Sequence, residues 1–157
     1  MDYGKSSTGV DGFLPDSKTI LIDVDGVLTD GRLTIDHRGE KPFKQFHTRD
    51  VRAIRELISV HGFEVVLVTA DEWPGIHHFS RKVGAEVIMS RSKTNLPYQN
   101  FIAIGDDSWD VSMLSQAQRA FCPWDADESV KRVAGITRLE TLGGHGVIAE
   151  MLREIIE

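Results

Sequence analysis

An apolar run near the start of this chain stops abruptly at two aspartates that are separated by one residue. Residues 19–22 (Thr-Ile-Leu-Ile) lead directly into Asp23, Val24, Asp25 and Gly26. Such a run, bounded by polar and glycine-rich sequence, is typical of a strand that is buried on both faces. Ligands of open α/β sheets bind beyond the carboxyl ends of these strands, and alternate strand residues point to the same side. The pattern predicts that Asp23 and Asp25 lie together in a binding site.

A second group of acids follows another apolar run. Residues 101–104 (Phe-Ile-Ala-Ile) precede Asp106, Asp107 and Asp110. Carboxylates that lie close together raise each other's pKa, so two acidic groups at one sheet edge need a cation. Oxygen ligands with no thiolate nearby favour magnesium over zinc or copper. The two segments together predict a magnesium site.

A calcium-binding loop that starts at position 23 is the competing interpretation. Its sixth position requires glycine and its twelfth requires glutamate. These positions hold Leu28 and Thr34, which excludes a loop of this kind.

Composition narrows the function classes further. The formal net charge is -6, which disfavours binding to nucleic acid because such binding requires a basic surface. The sequence has no apolar window of the ~18 residues that a membrane span needs, and its amino terminus is polar, so a cytoplasmic location is predicted. Cys122 is the only cysteine, which excludes an intrachain disulfide.

Apolar spacing predicts strands that alternate with helices. Strands are predicted at residues 19–23, 65–69, 87–89, 101–104 and 120–122. Helices are predicted at residues 50–62, 73–84, 107–115, 126–134 and 147–156, with Asp71 capping the second. Residues 32–35 and 43–46 predict a β-hairpin that projects over the site. The fold class is therefore α/β, a doubly wound, mainly parallel sheet in one domain (residues 19–157) after a flexible arm (residues 1–18).

The motifs resemble those of phosphatases of the haloacid dehalogenase superfamily. Four match in order from Asp23 onwards, namely residues 23–27 (Asp-Val-Asp-Gly-Val), Thr69, Lys93, and residues 105–107 with Asp110. Residues 46–50, residues 143–150 and the hairpin segment resemble the capless subgroup typified by 3-deoxy-D-manno-octulosonate 8-phosphate phosphatase. The resemblance implies a Rossmann-like fold without a cap domain and a homotetramer in which a neighbouring subunit covers the site.

The resemblance also implies roles for individual residues. Asp23 would be the nucleophile that forms an acyl phosphate, and Asp25 would be the general acid and base. The Asp23 carboxylate, the Asp25 backbone carbonyl and Asp106 would hold Mg²⁺, with Asp107 and Asp110 in support. Thr69 and Lys93 would contact the phosphate oxygens. Taken alone, Thr69 could be an ordinary strand residue and Lys93 a solvated loop residue.

The expected substrate segment is less sharply defined. His47, Arg49, Asp50 and Arg55 align with substrate-binding positions, although Arg55 could equally occupy the exposed face of a helix. At Asp71 and Ala149 the subgroup usually carries arginine.

These observations predict a magnesium-dependent phosphomonoesterase. Its substrate would be a sugar or sugar-acid phosphate, and an aspartyl phosphate would be the intermediate. Two alternatives stay open at this point. One is a phosphatase that acts on a nucleotide or a polynucleotide end, and the other is a catalytically silent metal-binding scaffold subunit.

Overall fold

A single parallel sheet organises the part of the chain that the structure, a computed structural model, describes, namely residues 18–157. The strands are β1 (Thr19–Asp23), β2 (Glu64–Thr69), β3 (Glu86–Met89), β4 (Phe101–Ile104), β5 (Arg119–Cys122) and β6 (Thr137–Arg138). Their order is β3-β2-β1-β4-β5-β6. The predicted α/β fold with a doubly wound parallel sheet is confirmed. Residues 1–17 of the predicted arm lie outside the described part.

Helices cover both faces of the sheet. They are α1 (Thr48–Ser59), α2 (Gly75–Val83), α3 (Val111–Gln116), α4 (Glu128–Lys131) and α5 (Val147–Ile156). Ile20 and Ile22 of β1 pack in one core with residues of α1, α2 and α5, whereas Leu21 packs in a second core with residues of α3 and α4. The apolar run is continuous because successive strand residues enter opposite cores. In the described residues, no helix combines the length and hydropathy needed to span a bilayer.

Some predicted elements differ from the observed ones. The predicted helix at 107–115 begins with a 3₁₀ turn (Ser108–Asp110), and the one at 126–134 shortens to α4. Strand β6 was missed, because two residues are too short to carry a periodic pattern. The prediction that Asp71 caps α2 was wrong: the helix has no side-chain cap, and Asp71 pairs with lysines instead.

The flap, defined here as residues 30–46, reverses direction where the hairpin was predicted. The Asp36 amide donates to the Glu40 carbonyl at 2.9 Å, and the Asp36 carboxylate accepts from the amides of Arg38 and Glu40. No strand is assigned within residues 30–46, so the arms of the predicted hairpin are not paired as a ladder. A two-stranded hairpin without further packing is marginally stable, which accounts for this difference.

Candidate active site

Several of the predicted site residues meet at the carboxyl edge of the sheet. Asp23 ends β1 and Thr69 ends the adjacent β2, and both are buried. Asp106 lies two residues after β4, which pairs with the other side of β1. Because all three strands run parallel, side chains far apart in sequence reach the same small region.

The chain leaves β1 through a kinked turn at residues 24–28. Asp25 and Gly26 have non-helical backbone angles there, and Gly26 has a φ of +90°. A Cβ atom at position 26 would overlap the carboxylate of Asp106. Glycine at this position therefore permits both the left-handed backbone and the close approach of Asp106.

Lys93 lies in the centre of the acidic residues. Its Nζ donates to Oδ1 of Asp23 and to Oδ1 of Asp110, each at 2.5 Å, and the residue is only 4% exposed. The backbone of Lys93 has a φ of 54°, a region that residues other than glycine rarely adopt. Burial disfavours its charge, but the carboxylates of Asp23 and Asp110 outweigh burial and raise the pKa of Lys93. The lysine is thus a fixed, charged partner of the acids.

Three acids form a cluster that fits a divalent cation. One carboxylate oxygen each from Asp23, Asp106 and Asp110 lies within 4.8 Å of the others. Oδ1 of Asp106 is buried and has no hydrogen-bond partner. Burial, together with the charges of Asp110 and Asp107, raises the pKa of Asp106 to about 6, although a hydrogen bond with Asp23 partly opposes the shift. Oxygen donors with an unsatisfied buried acceptor are what a hard cation requires.

The pKa of the Asp23 carboxyl is raised well above its usual range. Burial is the largest cause, the nearby charge of Asp110 adds to it, and the charge of Lys93 opposes it. One lysine does not balance the three clustered acids, so a cation bound there would relieve the remaining repulsion.

The Asp25 side chain turns away from this cluster. Its Oδ2 accepts from Nζ of Lys44 at 2.7 Å, and its Oδ1 accepts from the Thr29 hydroxyl at 3.1 Å. Asp25 therefore contributes no side-chain oxygen to the acidic cluster. Its place in the kinked turn, rather than in β1, separates it from Asp23.

Sequence reasoning missed two lysines of the flap. Lys44 also donates to Asp71 at 2.7 Å, and Lys41 donates to the other oxygen of Asp71 at 2.5 Å. Burial opposes the charge of Lys44, but Asp25 and Asp71 raise its pKa. The available signal was the presence of lysines in a segment expected to project over the site, together with an acid two residues after Thr69.

Two cavities adjoin these residues. The acidic cavity has a volume of about 450 Å³, and residues that line it include Asp23, Asp25, Thr69, Asp71, Arg91, Lys93 and Asp106. The flap cavity has a volume of about 690 Å³, and its lining includes Asp25, Thr29, Arg32, Lys41, Lys44, His47, Asp71 and His145. The two are contiguous through residues that line both. Arg91 is a further cation that sequence reasoning did not select.

The predicted substrate-binding segment is only partly brought to these cavities. His47 lines the flap cavity, and its Nδ1 accepts from the Arg49 amide at the start of α1. Asp50 is buried, and its carboxylate accepts from the Ile148 amide at the start of α5. Arg55 donates to the Lys82 carbonyl at the end of α2. The side chains of Arg49, Asp50 and Arg55 line neither cavity.

Comparison with known proteins relates the chain to one family of hydrolases. The model of the haloacid dehalogenase-like hydrolases matches residues 89–149, which include Lys93, Asp106 and Asp110. A 3-deoxy-D-manno-octulosonate 8-phosphate phosphatase of Haemophilus influenzae is 28% identical over 156 residues, which cover 92% of this chain and 85% of the relative. The chain is thus similar to the haloacid dehalogenase-like hydrolases. This hydrolase is a phosphatase related to that enzyme.

Solved structures agree with this assignment. The cobalt-bound deoxy-D-mannose-octulosonate 8-phosphate phosphatase of Haemophilus influenzae superposes on the hydrolase with a TM-score of 0.82 and 28% identity, over 91% of this chain and 89% of that one. The phosphatase of Moraxella catarrhalis, in complex with magnesium, phosphate and KDO, shares the fold, with a TM-score of 0.82 and 19% identity over 95% and 91% of the two chains. The hydrolase thus has the fold of these phosphatases.

Proposed function

We propose that this hydrolase is a magnesium-dependent phosphomonoesterase that acts on a small sugar or sugar-acid phosphate. The observation that carries the proposal is the position of Asp23. Its carboxylate lies at the end of the central strand, accepts from the ammonium of Lys93, forms a cluster with Asp106 and Asp110, and borders an accessible cavity. A carboxylate placed in this way can attack phosphorus while cations neutralise the charge of the phosphoryl oxygens.

In this proposal Asp23 forms an aspartyl phosphate. One Asp23 oxygen bonds to phosphorus as the bond from phosphorus to the leaving oxygen breaks, and water later attacks the phosphorus to regenerate the carboxylate. Lys93 and the hydroxyl of Thr69 line the same cavity and hold phosphoryl oxygens. Arg91 adds positive charge at the cavity wall.

Asp25 serves as the general acid and base. It borders both cavities, so it can reach the leaving oxygen of an ester that extends from one cavity into the other. It donates a proton to that oxygen and then accepts one from the attacking water.

Magnesium would be held by Asp23 and Asp106, with Asp110 beside them and the Asp25 backbone carbonyl completing the protein ligands. The bound ion would supply charge neutralisation at the phosphoryl oxygens. The hydrolase itself contributes the clustered carboxylates, and their mutual repulsion favours the binding of a divalent cation.

The sugar-type substrate is inferred from the relatives and from the flap cavity. The Haemophilus relative is a 3-deoxy-D-manno-octulosonate 8-phosphate phosphatase. The flap cavity here, of about 690 Å³, has the size of small-ligand sites. We assign His47, which lines the flap cavity, to the substrate segment. Arg49, Asp50 and Arg55 stay in the proposed set on resemblance alone.

We further propose that copies of the hydrolase associate as a homotetramer through the flap. Leu33, Ile35 and Phe43 are 69%, 56% and 51% exposed, which places three large apolar side chains on one projecting segment. A second copy of the flap would bury this apolar surface and pair with the open backbone edge of the first flap. The two flaps together would then cover the site.

Hydrolysis of p-nitrophenyl phosphate, with and without Mg²⁺, tests the proposal. The Asp23→Asn variant should lose at least about 10³-fold in kcat/KM, because it removes the covalent nucleophile. Asp127→Asn makes the same chemical change at the exposed cap of α4, where asparagine caps equally well, and should stay within about twofold of the parent. Equal rates for the parent and Asp23→Asn would overturn the proposal.

A further inference from the structure

Three residues form a wall that the two cavities share. Asp25, Lys41 and Asp71 line both the acidic cavity and the flap cavity. If the proposed function holds, a phosphoryl group that is transferred to Asp23 lies in the acidic cavity. The rest of its ester then passes this wall and enters the flap cavity, so the charges of the wall act on the leaving group.

Together with Lys44, which lines the flap cavity, the wall is balanced in charge. Lys44 donates to Asp25 and to Asp71, each at 2.7 Å, and Lys41 donates to the second oxygen of Asp71. The Lys44 side chain is only 12% exposed, and its Nζ lies 5.4 Å from the centre of the Trp73 ring. Two ammonium groups therefore face two carboxylates, and packing fixes the position of Lys44.

The rest of the flap cavity adds no unpaired strong base. Arg32 lies 3.9 Å from the carboxylate of Asp30. Burial and the charge of Arg49 lower the pKa of His47, which keeps its imidazole neutral near pH 7. In the described part of the chain, each lysine or arginine that lines this cavity thus has a carboxylate partner.

We propose that the flap cavity selects phosphate esters of uncharged polyhydroxy alcohols, and that Asp71 excludes leaving groups that carry a carboxylate. An incoming carboxylate would meet ammonium groups that Asp71 already occupies, and it would lie beside the like charge of Asp71. A hydroxyl group both donates and accepts hydrogen bonds. The carboxylates of Asp25 and Asp71 retain free acceptor positions for such donors. This inference rests on the proposed function and narrows its substrate to neutral sugar phosphates.

Sorbitol 6-phosphate and 6-phosphogluconate provide a matched test, because they differ at the end remote from phosphate by a hydroxymethyl group against a carboxylate. The ratio of their kcat/KM values is measured for each variant separately, so that differences in the folded fraction between variants cancel. The parent should favour sorbitol 6-phosphate by at least about tenfold. Asp71→Asn removes the carboxylate partner of Lys41 and one of the two partners of Lys44, and it should lower that ratio by about tenfold. Glu72→Gln removes the same charge one residue away, outside both cavities, and should change the ratio by less than about twofold.

Several outcomes would overturn the inference. These are a parent preference for 6-phosphogluconate, equal changes of the ratio in Asp71→Asn and Glu72→Gln, or no measurable hydrolysis of either ester. The failure of the proposed function is distinguishable, since in that case Asp23→Asn would retain p-nitrophenyl phosphate hydrolysis.

Discussion

The Nζ atom of Lys93 lies 2.5 Å from Oδ1 of Asp23, although 70 positions separate the two residues in the chain. Both side chains are almost completely buried. A lysine in a loop thus supplies the charge partner of the central-strand aspartate. Since Lys93 also contacts Asp110, one cation serves two buried acids.

Replacement of Lys93 should affect stability and catalysis together. Lys93→Met leaves Asp23 and Asp110 as unpaired buried charges, which should lower the free energy of unfolding of the metal-free protein by about 3 kcal/mol. Loss of a phosphate-binding cation should also reduce kcat/KM by at least about 10²-fold. Chemical denaturation and p-nitrophenyl phosphate hydrolysis measure the two effects.

A matched control for this variant is Lys131→Met. Lys131 pairs with the exposed carboxylate of Glu128, so its loss should cost less than about 1 kcal/mol. Similar destabilisation by both variants would contradict the special role of Lys93.

Gly26→Ala should abolish metal binding. The added methyl group would overlap the Asp106 carboxylate and also impose strain at a φ of +90°. In the parent, Mg²⁺ at one hundred times its dissociation constant should stabilise the fold by about 2.7 kcal/mol, and the variant should lose this increment. Thermal unfolding with and without Mg²⁺ measures it.

Gly39→Ala separates the effect of backbone strain from the effect of overlap with the Asp106 carboxylate. Gly39 has a φ of +82°, but a Cβ atom there would meet no neighbour within 4 Å. This variant should show the backbone strain alone and should keep the stabilisation by Mg²⁺. If both variants responded to Mg²⁺ as the parent does, the close approach of Gly26 to Asp106 would not matter for the ion.

Asp50 should make the fold less stable as pH rises. Burial raises its pKa from 3.8 to about 6, although the amides of Ile148 and Ala149 oppose the shift. The folded state then binds more protons than the unfolded state between these values, so stability falls from about pH 4 to about pH 6 and is level above that. Across this range the raised pKa of Asp50 lowers the free energy of unfolding by about 3 kcal/mol in total.

The Asp50→Asn variant isolates this contribution. Its side chain does not titrate, so the stability of the parent minus that of the variant should decrease between pH 4 and pH 7. Denaturant unfolding at intervals of pH measures the difference. A difference that stayed constant or increased with pH would show that the Asp50 carboxyl is not held with a raised pKa.

The flap should govern self-association. Substitution of lysine for both Leu33 and Phe43 places charges on the exposed apolar surface and should convert a species of four chains into smaller ones in sedimentation velocity. Val60→Lys alters an exposed apolar residue just after α1, outside the flap, and should leave the assembly unchanged. A monomeric parent would refute association through the flap.

Local pattern was sufficient to predict most of the fold. Residues 20–22 before Asp23 are all apolar because Ile20 and Ile22 enter one core while Leu21 enters the other, and this arrangement is visible in the residues themselves. Strand β4 and helix α5 were predicted at their observed bounds for the same reason, since their periods match buried elements. The two-residue strand β6 carries no period and could not be found.

The site divides in the same way. The sequence by itself predicted that Asp23 and Asp106 lie at the carboxyl ends of parallel strands, because strand direction follows from the alternation of elements. The tertiary structure alone decided that Lys93 reaches Asp23 and that Lys44 joins Asp25 to Asp71, because these contacts depend on loop paths that no local pattern encodes. The folded geometry decides which charged loop residues pair with one another, whereas the spacing of apolar residues predicts strands and helices directly from the sequence.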